Sequence, residues 1–275
     1  MSNTCNHDCS NCSENCSSRE KTVSKNSPLP TTKIKKIIGV LSGKGGVGKS
    51  MVSSLLAVSL ARKGYRVGIL DSDITGPSIA KIFDVQRPAY GDENGVFPNY
   101  TEQLNIPVLS VNIMLDSEDT PVLLRGPIIG GMVGQFYSEA HWGELDYLLI
   151  DMPPGTSDVA LSVLQDIPLD GLVMVSNPSK LVSMIVSKAI IMAEKTNTKV
   201  LGLVENMAYI KCPDCGKEIR LYQESDINTI ADKFNLPLLA SLPMDAYLAD
   251  LADNGKIEEY NGNYLDKLIQ TIEEL

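Results

Sequence analysis

One short stretch near the N-terminus, residues 36–50 (K-I-I-G-V-L-S-G-K-G-G-V-G-K-S), constrains more than any other what this chain can fold into. Residues 37–42 form an apolar run with β-branched side chains, which is the pattern of a buried parallel strand. Residues 43–50 fit the pattern G-x-x-x-x-G-K-[ST], and a segment of helical apolar periodicity follows to about Lys63. A strand, a glycine-rich turn and a helix in this order make a phosphate-binding P-loop, whereas a glycine- and lysine-rich surface turn needs neither flanking element. The stretch therefore predicts that the chain binds a nucleoside triphosphate.

The residue types of this P-loop suit a bound triphosphate and its magnesium ion. Glycines let the backbone turn and bring its N–H groups onto phosphate oxygens without clashes from Cβ atoms. Lys49 is predicted to reach the β- and γ-phosphates, and the Ser50 hydroxyl to bind Mg²⁺. The residues predicted to hold ATP or ADP here are Gly43, Lys44, Gly45, Gly46, Val47, Gly48, Lys49 and Ser50.

A second lysine, Lys44, directly follows the first glycine of the P-loop. The run G-K-G-G-V-G-K-S resembles the deviant Walker A motif of a class of dimeric ATPases that includes MinD, ParA, the nitrogenase iron protein and the Mrp/ApbC cluster carriers. In that class the extra lysine contacts the nucleotide of the partner subunit, so the resemblance implies a homodimer that responds to ATP, with Lys44 and Lys49 as catalytic residues. A cation delivered across an interface stabilises charge on the transferring phosphoryl group. A solvated loop lysine is the alternative.

Aspartates follow two predicted strands, at the sheet edge where α/β proteins bind their ligands. By resemblance to the same class, Asp71 and Asp73 belong to switch I, with Asp73 activating the attacking water and Asp71 near the Mg²⁺ ion. Asp151 ends the apolar run 147–151 as a Walker B residue that would hold Mg²⁺ through water, and the Gly155 N–H in switch II would face the γ-phosphate. A helix N-cap is the alternative role for Asp73.

Residues 142–158 (W-G-E-L-D-Y-L-L-I-D-M-P-P-G-T-S-D) carry the most specific resemblance. They closely resemble the Mrp/ApbC family of iron–sulfur cluster carriers, and the similarity extends from about Ile34 to the end. It implies that Asn206 recognises the adenine edge and that the loop at Pro243 forms the other wall of the base pocket. The apolar run 200–204 predicts a strand, and an asparagine that follows the strand and completes a turn is the alternative for Asn206. Where relatives often have T-P-Q, this chain has N-P-S at 177–179.

The composition of the chain limits the kinds of partner that it can bind. The 275-residue chain carries 24 Lys and Arg against 34 Asp and Glu, a formal net charge of −10, which disfavours nucleic acid as a partner. No apolar run approaches the about 20 residues of a membrane span, and residues 1–33 lack the apolar segment of a signal peptide. We therefore expect a cytoplasmic protein with no membrane or nucleic-acid partner.

Residues 1–33 differ in composition from the rest, because their apolar side chains besides cysteine and proline are Met1, Val23 and Leu29. We predict a largely disordered tail here and one ATPase domain at 34–275. In a cytosolic chain the cysteines favour metal binding or redox chemistry over disulfides. Four tail thiols can surround one tetrahedral metal or one iron–sulfur cube. A [4Fe–4S] cluster is the favoured occupant, and a zinc ion or an unloaded tail remain as alternatives. These thiols are Cys5, Cys9, Cys12 and Cys16.

Cys212 and Cys215 form a lone C-x-x-C pair, half of a tetrahedral thiolate shell. A two-fold dimer would bring the pair together twice, giving four thiolates on the symmetry axis. Its C-P-x-C form matches the bridging [4Fe–4S] site of the Mrp/ApbC carriers. Structural zinc in the same geometry and a redox dithiol remain as alternatives.

The sequence predicts an α/β fold, a mostly parallel sheet with helices on both faces, in a homodimeric P-loop ATPase. The C-terminal segment 264–275 has one apolar helical face and mainly acidic charges, so we expect it to pack on its own domain rather than on a membrane. The predicted function is an ATP-dependent carrier that takes a [4Fe–4S] cluster from a donor scaffold to apo iron–sulfur proteins. A MinD/ParA-like positioning ATPase, a nitrogenase-iron-protein-like electron donor and a non-enzymatic metal-storage protein are the alternatives.

Overall fold

Parallel strands form the centre of the fold. The computed structural model describes residues 25–73, 76, 78–85, 90–110, 126–179, 182–221 and 227–275. The predicted cluster ligands Cys5, Cys9, Cys12 and Cys16 lie outside the described residues. The described strands are β1 (Lys33–Ser42), β2 (Val67–Asp71), β3 (Tyr90–Asp92), β4 (Gly95–Phe97), β5 (Asn99–Tyr100), β6 (Pro107–Ser110), β7 (Glu144–Asp151), β8 (Gly171–Ser176), β9 (Val200–Lys211), β10 (Glu218–Ile219) and β11 (Leu238–Pro243). The described helices are α1 (Lys49–Arg62), α2 (Ile79–Ile82), α3 (Gly126–Glu139), α4 (Asp158–Asp166), α5 (Val182–Lys195), α6 (Ile227–Phe234), α7 (Ala246–Asp253) and α8 (Asp266–Glu273), with a short 3₁₀ helix at Ile257–Glu259.

The strand order places β1 near the middle of the sheet. Across the described ranges the sheet runs β10-β9-β8-β1-β7-β2-β6-β5, and β11 also pairs with β9. Strand β1 is parallel to β7 and β8, and β2 is parallel to β7 and β6. The antiparallel pairs of this sheet are β5 with β6 and β10 with β9, while β3 and β4 form a separate hairpin. The predicted α/β fold with a mostly parallel sheet is confirmed.

The central strands are buried on both faces, which explains their continuous apolar runs. Every residue of β2 and of β8 is buried, as is the second half of β1. A parallel strand reaches this state when helices cover both faces of the sheet. Strands β1, β7 and β2 are neighbours, so the loops that follow Ser42, Asp151 and Asp71 meet along one edge of the sheet.

Two boundaries differ from the sequence predictions. The sequence predicts a tail through residue 33, but Lys33 begins β1 and pairs with Glu144, and the Thr32 hydroxyl donates to the Ala140 carbonyl at 3.3 Å. The strand predicted at 200–204 continues as β9 to Lys211, because β11 and then β10 pair with its extension. Partners elsewhere in the chain, rather than local propensity, decide where this strand ends.

The C-terminal helix α8 packs on the core, as its apolar face predicts. Leu268, Ile269 and Ile272 are buried, and so is Leu265 just before the helix. The prediction that this segment packs on its own domain is confirmed. Among the described helices, none combines the length and the apolarity that a membrane crossing requires.

Candidate nucleotide site and cysteine pair

The P-loop joins β1 to α1 and requires glycine at position 48, directly before the helix. Gly48, the N-cap of α1, has a φ of 75°, in the left-handed region that other residues rarely adopt. A Cβ atom there would also collide with the Asn206 amide nitrogen. A Cβ atom at Gly46, in contrast, would meet nothing within 4 Å. The loop therefore closes against Asn206 on one side and keeps its backbone open on the other.

A cavity of about 460 Å³ lies over the P-loop. This volume is within the range of small-molecule sites, roughly 300–1,000 Å³. The lining comes from the P-loop and the first turn of α1, from Asp73 and Gly76 after β2, from Ile82 in α2 and from Pro154 after β7. The N-terminus of α1 faces this space with backbone N–H groups and the positive end of its dipole, which favours a phosphate.

Lys49 lies at the cavity, and its amine is paired with two carboxylates. Its Nζ atom is 2.7 Å from Asp151 Oδ2 and 3.6 Å from Asp73 Oδ2. Burial by itself would lower the pKa of Lys49, but the charges of Asp151 and then Asp73 outweigh burial and hold that pKa above its usual value. The amine therefore stays cationic, as contact with a phosphate requires.

Asp151 is held at both oxygens of its carboxylate. Oδ2 accepts hydrogen bonds from Lys49 Nζ at 2.7 Å and from Ser50 Oγ at 2.6 Å. Oδ1 accepts one from Ser53 Oγ at 2.6 Å, and the side chain is fully buried. The structure thus brings together Ser50 and Asp151, the predicted Mg²⁺ ligands. Hydroxyl and carboxylate oxygens are hard donors of the kind that Mg²⁺ prefers, so the residues present fit this ion.

Ser53 is a member of this cluster that the sequence analysis missed. It follows Lys49 by four positions and Ser50 by three, so the three side chains share one face of α1. The spacing K-S-x-x-S is visible in the sequence and could have indicated it. Which strand this face meets is decided by the sheet order, which local sequence does not contain.

The two predicted switch I aspartates occupy different environments. Asp73 lines the cavity, whereas Asp71 is 1% exposed and turns toward the polypeptide. Asp71 Oδ1 accepts from the Asp73 N–H at 3.0 Å, and Oδ2 accepts from the Ile79 N–H and the Ser110 hydroxyl at 3.3 Å each. Burial, with Asp151 as the next cause, raises the pKa of Asp71 to about 8. Asp71 therefore anchors the start of α2, and its proximity to Mg²⁺ stays a prediction.

Gly155 makes a backbone contact that the sequence did not indicate. The sequence predicts that its N–H faces the γ-phosphate, but in the structure this N–H donates to the Ser42 carbonyl at 2.7 Å. A φ of 78° turns the chain at this position. The contact joins switch II to the end of β1, and the phosphate-binding role of Gly155 stays a prediction.

Asn206 lies against the P-loop rather than among the residues that line the cavity. Its Nδ2 atom donates to the Val47 carbonyl at 2.9 Å, and its Oδ1 atom accepts from the Met207 N–H at 3.0 Å. Pro243 ends β11 and is paired with Tyr209 of β9. The predicted adenine contacts of Asn206 and Pro243 stay predictions.

Lys44 is partly exposed on the loop. Its carbonyl oxygen accepts a hydrogen bond from the Ser42 hydroxyl at 3.0 Å, which shapes the beginning of the loop. The role of this lysine toward a partner subunit stays a prediction.

Cys212 and Cys215 lie in the turn between β9 and β10. The Cys212 N–H donates to the Lys217 carbonyl and the Gly216 N–H to the Cys212 carbonyl, both at 2.9 Å. Backbone N–H groups of Cys215 and Asp214 lower the pKa of the Cys212 thiol by hydrogen bonding to its sulfur. Cys215 is exposed, and no group of three or more potential metal-ligating side chains occurs among the described residues. The described chain therefore offers two surface thiols, which is half of a tetrahedral shell.

Comparisons with known proteins extend over nearly the whole described chain. A family model described as the ParA-type NUBPL iron-transfer P-loop NTPase matches residues 33–274. An iron–sulfur cluster carrier protein of Clostridium perfringens is 45% identical over 268 residues, which are 92% of this chain and 94% of that protein. A solved nucleotide-binding protein of Archaeoglobus fulgidus in complex with ADP is 44% identical, covers 84% of this chain and 90% of its own, and has a TM-score of 0.75. The cell division ATPase MinD of Pyrococcus furiosus has a TM-score of 0.63 at 22% identity over 87% of this chain and 99% of its own, a likeness of fold alone.

Proposed function

Because this chain belongs to the family of iron-transfer P-loop NTPases, we propose that it binds and hydrolyses ATP in order to carry a [4Fe–4S] cluster to apo-proteins. The observation that supports the proposal is that one sheet positions two separate groups of side chains. Lys49, Ser50 and Asp151 meet after β1 and β7 and suit a phosphate and a cation, and the partly exposed Cys212 and the exposed Cys215 follow β9. Strand β9 also contains Asn206, so the element that leads to the thiols touches the P-loop.

The nucleotide half of the proposal assigns a role to each polar side chain at the cavity. Backbone N–H groups of the P-loop and Lys49 bind the phosphates, while Ser50 and Asp151 hold Mg²⁺. When bound, Mg²⁺ would neutralise part of the negative charge of the phosphates. Asp73, which lines the cavity, orients the attacking water, and Lys44 reaches the nucleotide of a second subunit.

The cargo half of the proposal follows from the number of thiols. Two thiolates per chain complete a four-thiolate shell when two copies meet about a two-fold axis, as isologous dimers do. The lowered pKa of Cys212 favours the thiolate form that iron binds. The turn is exposed, so that a cluster held there is within reach of another protein. The cluster is thus a cargo between subunits, and its release follows reopening of the dimer after hydrolysis.

The experiment that tests the cargo site compares the metal content of three proteins purified anaerobically. The first is the wild type, the second is Cys212→Ala/Cys215→Ala, and the third is a control in which Cys5, Cys9, Cys12 and Cys16 are all changed to Ala. Iron, sulfide and zinc are measured together with Mössbauer spectra. We expect the double variant to lose one [4Fe–4S] cluster per dimer and the control to retain it. Zinc without iron at this pair, or an unchanged iron content in the double variant, would refute the assignment.

A further inference from the structure

We propose that Ser53 is a positioning residue for the Mg²⁺–nucleotide site, because its hydroxyl fixes the orientation of the Asp151 carboxylate. The inference rests on the nucleotide-binding half of the proposed function and is independent of the cluster. Ser53 lies in the second turn of α1, is fully buried and is not among the described residues that line the cavity.

The geometry shows which acceptor the Ser53 hydroxyl serves. A serine hydroxyl has a single hydrogen to donate. Asp151 Oδ1 lies 2.6 Å from Ser53 Oγ, whereas the backbone carbonyl of Lys49 lies 3.2 Å away. Hydrogen bonds to a carboxylate are shorter and stronger than those to a neutral carbonyl. The hydrogen therefore points at Asp151, and the carbonyl is a secondary neighbour.

This hydrogen bond matters because a carboxylate rotates easily about its last torsion, which has broad minima. Oδ2 has to face Ser50 Oγ, 2.6 Å away, if the two are to act on the same cation. Ser53 holds Oδ1 on the opposite side, so the plane of the carboxylate is fixed by donors at both ends. One face of α1 thus provides the phosphate-binding lysine, the cation-binding hydroxyl and the residue that orients their common partner.

The alternative is that Ser53 has a purely structural role. A buried carboxylate needs hydrogen-bond donors simply to remain buried, and any donor would serve that purpose. A structural role alone would change the stability of the fold and the affinity for nucleotide with and without Mg²⁺ to the same degree. A positioning role would change the part of the affinity that depends on Mg²⁺. The two roles therefore give different results in a binding experiment.

The test measures the affinity of the full chain for a non-hydrolysable ATP analogue by calorimetry, once with Mg²⁺ and once with a chelator. The ratio of the two affinities is the gain from Mg²⁺. In Ser53→Ala we expect this gain to fall by about 10-fold or more, the usual effect of removing an outer-shell partner of a metal ligand, while the affinity without Mg²⁺ stays unchanged. Ser54→Ala is the matched control, because Ser54 is the next buried hydroxyl of α1 and donates to the Ser50 carbonyl at 2.8 Å instead of to Asp151. It should keep the wild-type gain.

A double-mutant cycle tests whether Ser53 acts through Asp151. In an Asp151→Asn background, Ser53→Ala should cause little further loss of the gain, because the group that it orients is already changed. If Ser53→Ala does not fold, Ser53→Cys provides a weaker donor of similar shape and should lower the gain in the same direction.

Three results would overturn the inference. They are an unchanged gain in Ser53→Ala, an equal loss in Ser54→Ala, and a loss in the Asp151→Asn background as large as in the wild type. The assay measures nucleotide affinity and involves no cluster transfer, so such a result leaves the proposal of cluster delivery standing. Conversely, an unchanged iron content in the Cys212→Ala/Cys215→Ala variant would refute the cargo site and leave the Ser53 result standing.

Discussion

Replacement of Lys49 by methionine should destabilise the fold itself, in addition to any effect on nucleotide binding. The Lys49 side chain is 5% exposed and that of Asp151 0%, and their charged atoms are 2.7 Å apart. Methionine keeps most of the length and apolar volume of lysine but removes the charge. Lys49→Met therefore leaves a buried carboxylate that still has the hydroxyls of Ser50 and Ser53 but has lost its cation.

The magnitude follows from two opposing contributions. At 2.7 Å and an effective dielectric constant of about 20, the attraction of one ion pair is about 6 kcal/mol. Desolvation of the lysine offsets several kcal/mol of this attraction, and removal of one partner from a buried pair is typically measured as a loss of about 3–5 kcal/mol. We expect a loss of about that size in the free energy of unfolding. The double variant Lys49→Met/Asp151→Asn should recover most of it, because the fully buried side chain at position 151 is then neutral and both hydroxyls are free to reorient.

The assay is urea unfolding at neutral pH in the absence of nucleotide, followed by circular dichroism. The matched control is Lys63→Met, because Lys63 is also 2.7 Å from its carboxylate partner, Glu273, but at the surface. An exposed pair of this kind contributes little to stability, so this variant should unfold close to the wild type. A Lys49→Met protein no less stable than Lys63→Met, or a double variant as unstable as the single one, would contradict the prediction.

Three further predictions concern neighbouring positions. Asp71 has its pKa raised to about 8 from 3.8, so its contribution to stability is fully present below pH 3.8 and declines as the pH rises to about 8. Asp71→Asn should therefore flatten the fall in unfolding free energy between about pH 5 and pH 8, as measured by urea titrations. An unfolding free energy that falls equally with pH in the variant and in the wild type would contradict this. Gly48→Ala should lower the unfolding free energy by about 1–3 kcal/mol through backbone strain, and by a further amount because the new Cβ atom displaces the Asn206 amide that donates to Val47. Gly64→Ala is the control, because Gly64 has the same left-handed backbone but open space around its Cβ, so it should show the strain alone. Equal losses in the two glycine variants would argue against the Asn206 contact. Lys44→Ala should reduce ATP turnover by about 10³-fold or more and abolish ATP-dependent cluster transfer, while stability in urea and cluster loading stay unchanged. Normal turnover of this variant in a steady-state assay would exclude the proposed role across the dimer.

Local sequence was sufficient to predict the elements that carry the site. The P-loop has its own strand, glycine turn and helix within a single short stretch, and each obeys a periodicity that nearby residues reveal. Strand β7 and its terminal Asp151 are equally plain, because a strand buried on both faces has to be apolar throughout. The same reasoning failed for the end of β9, whose last residues are held in place by β10 and β11.

The sequence by itself therefore determined the fold class and the residue types that a phosphate, a cation and a thiol-bound cargo require. Only the tertiary structure decided which of these side chains meet. Lys49 and Asp151 are 102 positions apart and meet because β7 lies beside β1 and is covered by α1. The same packing turns Asp71 into the protein, directs the Gly155 N–H to Ser42 and places the Ser53 hydroxyl on Asp151. Contacts of this kind depend on strand order and register, which are properties of the whole sheet and leave no periodic trace in any one segment.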